Sequence, residues 1–209
     1  MPANERAIVE DLFSPPYDLL EPQSRSTPFV LCSPHSGRIY PQSFLDSSCL
    51  DSQNLRKSED CYVDELFAPA AKAGAPLLAA RFPRAFLDVN REPYELDPRL
   101  FREPLPDFAN AQSTRVIGGL GTIARIVADG ESIYRTPPTL DAALTRIEHL
   151  HQPFHAKLAD LISETKNAFG YAVLIDCHSM PSLSIAANGP AGRPDIVLGD
   201  RFGASCTGM

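Results

Sequence analysis

Phe29-Val30-Leu31-Cys32-Ser33-Pro34-His35-Ser36-Gly37 and, far along the chain, Ala172-Val173-Leu174-Ile175-Asp176-Cys177-His178-Ser179-Met180 repeat one pattern. In each, a short apolar run leads into a polar tip that carries a histidine followed by a serine. A run of apolar and β-branched residues bounded by turn formers reads as a buried strand. In open α/β sheets, ligands bind at the carboxyl ends of such strands. Two imidazoles at those ends therefore point to a metal site.

Working outward from these runs, strands are expected over 29–33 and 172–176. A helix is expected from about Glu59 to Ala73, with Ser58 at its N-cap, acids in its first turn and Gly74 at its end. Leu77–Phe82 and Ala85–Val89 read as strands, a hairpin or one strand interrupted at Pro83, and Arg115–Ile126 as one or two more. Leu140, Leu144, Ile147, Leu150, Phe154, Leu158 and Leu161 recur at steps of three and four, which predicts a long amphipathic helix over 138–169, kinked or divided at Pro153. A last strand is expected over 196–198. Helices alternating with buried strands predict an α/β fold: three αβα layers around a mixed, mainly parallel sheet.

The chain has 209 residues, 44% of them apolar, enough for one full core and too few to require two domains. Residues 1–27 are polar and punctuated by proline, so they are expected as a loosely packed lead-in to a single domain over 28–209. The 20 prolines, well above the usual content of about 5%, lie largely between the apolar runs and predict long structured loops. A formal net charge of −7 argues against nucleic acid or an anionic membrane as partner, because a phosphate backbone needs clustered Lys and Arg. A small-molecule substrate fits better. No basic segment followed by an apolar stretch opens the chain, and no apolar run approaches the roughly 18 residues of a membrane helix, so a cytoplasmic location is expected. Five cysteines form no CxxC pair and read as reduced and mostly structural.

Of the five histidines, His149, His151 and His155 fall within the long helix. His151 and His155 have i, i+4 spacing, but no Glu stands between them as in HExxH and neither tips a strand, so they read as structural or surface residues. His35 and His178 each tip a strand and need a third ligand, since catalytic zinc takes three protein ligands and leaves a position open. Glu59-Asp60 is the densest acidic pair nearby; it reads equally as dipole-complementing acid in a first helical turn. Arg81-Phe82-Pro83-Arg84-Ala85-Phe86-Leu87-Asp88-Val89-Asn90-Arg91 sets arginines, an acid and an amide around one apolar stretch. Arginine offers a fork that matches a carboxylate, and Asn adds directional hydrogen bonds.

Taken together, Ser33-Pro34-His35-Ser36-Gly37, Glu59-Asp60-Cys61-Tyr62-Val63-Asp64-Glu65-Leu66-Phe67, Arg81 to Arg84 with Asp88 to Arg91, and Asp176-Cys177-His178-Ser179-Met180 resemble the N-formylglutamate amidohydrolase family. They occur in the family's order, from about residue 28 to residue 203. The resemblance implies the phosphorylase/hydrolase-like fold shared with zinc carboxypeptidases. It implies a Zn2+-dependent amidohydrolase that cleaves N-formyl-L-glutamate, or a related N-acyl amino acid, to formate and glutamate, as in one route of histidine degradation. By position, His35, Asp60 and His178 match the metal ligands, with Glu59 the rival third ligand. Asp88 matches the residue that hydrogen-bonds the first histidine, Asn90 with Arg91 the clamp on the substrate carboxylate, and Arg84 the group that polarises the scissile carbonyl. The family's general base is implied to be a Glu in a C-terminal Gln-x-Glu-x-Asn-Arg segment, and residues 1–209 contain no such segment. The domain is on that ground expected to be C-terminally incomplete. Two other functions are open: a zinc- and carboxylate-binding domain without turnover, and a hydrolase using Cys177 or Ser179 as nucleophile with His178. The last is disfavoured because neighbours on a strand point to opposite faces.

Overall fold

The structure is a computed structural model that describes residues 4–127, 130–181, 194–200 and 203–205. The described residues up to His178 form one compact unit, and the described residues from Ser179 onward belong to a second. In the first unit, strands β1 (Tyr17–Leu20), β2 (Phe29–Ser33), β3 (Leu77–Ala80) and β4 (Val173–Asp176) form a sheet in the order β1-β3-β2-β4. β2 runs parallel to both β3 and β4, and β1 is antiparallel to β3. The sheet is mixed and mainly parallel, and β2 is buried after its first residue, but β4, expected as a buried strand, is an exposed edge strand, with Val173, Leu174 and Ile175 all exposed.

Alternation along the two inner strands sorts their side chains into two cores. Val30, Cys32, Leu78 and Ala80 join a large cluster with Val9 and Phe13 of α1 (Glu5–Leu12) and its C-cap, Ala143 of α7 (Leu140–Arg146), and Phe154, Leu158 and Leu161 of α8 (Gln152–Phe169). Leu31 and Leu77 face the other way, onto Val63 and Phe67 of α4 (Val63–Phe67) and Ala70 of α5 (Pro69–Lys72). Helices thus cover both faces, which is why β2 is apolar at successive positions. The short helices α2 (Gln42–Ser47) and α3 (Ser52–Leu55) lie between β2 and α4, and α6 (Thr114–Ile117) lies in the long connection after β3.

Several expectations are corrected. Residues 5–20 are no loose lead-in: Val9 and Phe13, one helical turn apart, are buried, and β1 adds a strand to the sheet. The helix expected over 59–73 begins only at Val63, because Glu59 is extended and Tyr62 takes a left-handed φ of 62°. Pro69, which has no N–H, then separates α4 from α5. Ser58 does not cap it; its hydroxyl donates back to Leu55 O. Ala85–Val89 is not a strand: Phe86 and Leu87 N–H groups turn back onto Pro83 O, and the apolar side chains are buried from a turn. Within 115–126, Ser113 caps α6 through Val116 N, and Ile126 forms only an isolated bridge to Ser132. Residues 196–198 form no strand and make no ladder with the described residues.

The long helix follows its periodicity, with Thr139 capping α7 through Ala142 N and Gly170 closing α8 at φ 81°. Its irregularity is a π turn over Ile147–His151, just before Pro153. Proline has no N–H for the carbonyl four residues back and its ring crowds that carbonyl, so the turn ahead of it widens. No described helix is long and apolar enough to cross a membrane.

Gly37 shows how tightly the β2 loop is seated. A Cβ there would stand 2.1 Å from Phe82 O, so any side chain pushes the His35 loop off the backbone after β3. Gly37→Ala is expected to cost about 2 kcal/mol, within the usual range for overpacking. A shift in the denaturant midpoint measures it, and an unshifted midpoint contradicts the close approach.

Candidate metal centre

Because β2 and β4 are parallel neighbours, their carboxyl ends leave the sheet on the same edge. Cys177 N donates to Cys32 O at 2.7 Å and extends the pairing one step beyond β4. His35 and His178 follow these ends, with ring centroids 5.0 Å apart. Asp60 arrives from the turn before α4, whose position is set by a 3.0 Å hydrogen bond from Asp60 N to His35 O. One potential ligand atom from each of His35, Asp60 and His178 lies within 4.8 Å of the other two.

The two imidazoles are oriented alike. His35 Nε2 meets Asp88 Oδ1 at 2.7 Å, and His178 Nε2 meets Asp176 Oδ2 at 2.9 Å. A carboxylate only accepts, so His35 Nε2 carries the hydrogen and its Nδ1 is left to present a lone pair when the ring is neutral, whereas His178 meets a carboxylate at both ring nitrogens and donates to both while it is protonated. Both Nδ1 atoms face Asp60 Oδ2, at 3.5 Å from His35 and 2.8 Å from His178. His35 Nδ1 is buried, in a residue only 1% exposed, and has no hydrogen-bond partner among the described residues. An orphaned polar atom in such a place normally costs about 1–3 kcal/mol, which a metal ion would remove. Two imidazole nitrogens and a carboxylate are a donor set suited to zinc and to other first-row transition metals.

Asp88 does more than hold His35. Its Oδ1 also accepts from Asn90 N at 2.9 Å, and its Oδ2 accepts from Arg84 Nε at 3.0 Å with Arg91 Nη2 at 3.6 Å. Burial pushes the Asp88 carboxyl up, but the His35 hydrogen bond and the charges of His35, Arg84 and Arg91 outweigh it and hold it well below the usual carboxylate range. Asn90 Nδ2 lies 3.3 Å from Asp176 Oδ2 and 3.2 Å from His178 Nε2. Arg91 is mostly buried and spends Nε on Leu120 O and Nη1 on Asn90 O. Arg84 uses only Nε, and its two terminal nitrogens have no hydrogen-bond partner among the described residues.

Glu59 is not part of the trio. Its carboxylate accepts from Tyr40 Oη at 2.5 Å, from Arg56 Nε at 3.0 Å and from Cys61 Sγ at 3.3 Å. Cys177 is buried, donates to Ile175 O, and has its thiol pushed up to about 11 by burial and then by the charge of Asp176, the opposite of an activated nucleophile. Cys32, Cys49, Cys61 and Cys177 are free thiols. Asp176 is a site residue that the sequence motifs do not single out, although its spacing carries a signal: in an extended chain, residues 176 and 178 point to one side.

An α/β protein with its polar centre at the carboxyl edge of a parallel pair is the class that this fold and site define. The family model described as N-formylglutamate amidohydrolase matches residues 27–209, and the chain belongs to that family. It is 26% identical over 182 residues to an N-formylglutamate deformylase of Pseudomonas aeruginosa PAO1, covering 86% of this chain and 61% of that protein. It is 25% identical over 181 residues to the enzyme of the same name from Pseudomonas putida, again covering 61% of it. The chain thus spans 61% of the length of these curated relatives. The solved structure of N-formylglutamate amidohydrolase from Ralstonia eutropha JMP134 superposes with a TM-score of 0.79 at 34% identity, over 90% of this chain and 67% of that one. A second, the gene product Atu2144 of Agrobacterium tumefaciens, has a TM-score of 0.56 at 18% identity over 83% of this chain and 61% of that one, and shares the fold.

The hydrogen bonds to Asp176 and Asp60 push His178 up to about 9 from 6.5, against the burial that lowers it. Raised in the fold, the group contributes stability to the metal-free chain that is fully present below about pH 6.5 and is lost as pH rises through about 9. The urea midpoint of the metal-free chain is therefore expected to fall across that window, and to fall less in His178→Asn. Equal slopes for the two would contradict the contacts of His178.

Proposed function

We propose that the chain is the metal-binding part of a zinc-dependent amidohydrolase acting on N-formyl-L-glutamate or a related N-acyl amino acid, releasing formate and glutamate. The observation that carries the reading is the buried Nδ1 of His35, without a hydrogen-bond partner among the described residues and aimed at a carboxylate shared with a second imidazole whose Nε2 is likewise tied to an acid. Membership of the family supports the reaction class. In this reading His35, Asp60 and His178 hold the zinc, and Glu59, already bound by Tyr40 and Arg56, does not. Bound zinc supplies a Lewis acid and lowers the pKa of water toward about 7.

The remaining work falls to the chain's own residues. Asp88 and Asp176 keep the histidine hydrogens on Nε2, which fixes each ring and raises the basicity of Nδ1. Arg84, anchored at Nε by Asp88, offers its terminal N–H groups to the acyl carbonyl, where negative charge develops. Asn90 and the unengaged N–H groups of Arg91 orient the substrate carboxylate. The chain's overall negative charge leaves such a local cationic patch as the attraction for an anionic small molecule. A cytoplasmic location accords with this metabolic reading.

Metal analysis and turnover test it. The purified 209-residue chain is expected to hold one zinc per chain, lost in His35→Ala, His178→Ala and Asp60→Asn and kept in Glu59→Gln. Formate release from N-formylglutamate is expected to stop on chelation and to return with zinc, while Arg84→Ala lowers it by about 10²-fold, the usual cost of removing one oxyanion donor. Full zinc retention in both histidine variants rejects the centre. Zinc uptake through these residues without formate release leaves a binding domain and rejects turnover.

A further inference from the structure

The segment that carries Asp88, Asn90 and Arg91 lies in neither helix nor strand, so its backbone carbonyls have no ladder to enter. Asp88 N is held by Thr122 O at 2.9 Å. The next carbonyls are met by side chains from the long helix. His155 Nε2 lies 2.7 Å from Val89 O, and His151 Nε2 lies 2.9 Å from Arg91 O. A carbonyl only accepts, so both imidazoles donate from Nε2. The two rings sit 4.4 Å apart on one helix face and grip the backbone on either side of Asn90.

The support is stiff where it needs to be. His151 ends the π turn and is buried, and burial pushes its imidazole down, which favours the neutral single donor. One turn on, Phe154 and Leu158 seat α8 in the main core. The helix is therefore a fixed platform, and the His pair is its link to the loop. Metal and catalytic centres need their surrounding partners held as firmly as the ligands, because a misplacement of an ångström is enough to lose them.

We infer that His151 and His155 are positioning residues for the centre: they fix the Arg91 and Val89 carbonyls, and so aim Asp88 at His35 and Asn90 at His178. The inference rests on the metal centre proposed above, and neither histidine touches that centre. It also gives a role to the i, i+4 pair that lacks the context of a zinc motif.

The test uses the 209-residue chain, prepared metal-free and titrated with Co2+ against a chromophoric chelator. His151→Leu and His155→Leu are each expected to bind Co2+ about tenfold more weakly, the low end of what lost outer partners cost, with a changed visible ligand-field band. Amide exchange at Asn90 in the metal-free chain is expected to speed up in both. His151→Gln and His155→Gln keep an amide donor near the Nε2 position and are expected to restore all three readouts. Wild-type affinity, band and exchange in the Leu variants would overturn the inference, as would losses that Gln does not restore. If the wild-type chain takes up no Co2+, or His35→Ala takes it up equally, the centre itself fails and the inference falls with it. If His151→Leu does not fold, the pair of variants at the exposed His155 decides alone.

Discussion

The parallel pairing of β2 with β4 is the constraint on which the site depends. Phe29, Val30, Leu31 and Cys32 stand opposite Val173, Leu174, Ile175 and Asp176, and Cys177 N closes the register onto Cys32 O. Parallel strands leave a sheet at the same edge, so two sequence-distant histidines are delivered side by side by backbone hydrogen bonds alone. A slip of one residue in β4 would send Asp176 and His178 to the opposite face together. The Asp60 turn hangs on this arrangement through His35 O, and the Asp88 loop through His35 Nε2. Remove the register and nothing else in the site has a reason to meet.

Charge at that edge is arranged around one point. Asp60, Asp88 and Asp176 surround two imidazoles, with Arg84 and Arg91 outside them. The carboxylates favour positive charge between them, which is why a proton is held on His178 to about pH 9. The same field favours a divalent cation there, which would have to displace that proton because metal and proton compete for one lone pair. Asp88 does two tasks at once: one oxygen orients His35, the other anchors Arg84. The group that sets the ring and the group that offers free N–H donors therefore move as a unit.

What could be read from the sequence follows from how local each signal is. The apolar runs of β2 and β4 and the steps of Leu140 to Leu161 carry their signal within themselves, and the structure keeps the strands and the helix, although β4 lies exposed at the sheet edge where its run reads as buried. The tips holding His35 and His178 were legible for the same reason, and the Glu59-Asp60 pair and the Arg81 to Arg91 stretch stood out by composition, while the choice of Asp60 and the separate roles of Asp88, Asn90 and Arg91 needed the family resemblance. The failures lie where tertiary contacts override local preference. Ala85 to Val89 has a strand's composition, yet Pro83 accepts its N–H groups and bends it into a turn. β1 hides in a polar, proline-marked stretch because it borrows its ladder from β3. Asp176 is not legible in the sequence because a carboxylate two residues before a histidine means little until the strand direction is known.

The neighbours Glu59 and Asp60 show how finely the backbone divides adjacent acids. Glu59 is extended, with φ −77° and ψ 144°, and its side chain goes to Tyr40, Arg56 and Cys61. Asp60 N is pinned to His35 O, and two residues later Tyr62 adopts φ 62°, reversing the chain into α4. A bulky residue in the left-handed region costs of order 1–3 kcal/mol and persists only where its surroundings demand it. Here they do: the carboxyl between the two imidazoles comes from one residue of the pair, while the other is buried against a guanidinium on the far side. Turning Glu59 toward the histidines would strand Arg56 and Tyr40 and undo the reversal that starts α4. The choice of Asp over Glu at this edge is therefore set by the turn that feeds the helix, and not by which acid reaches further.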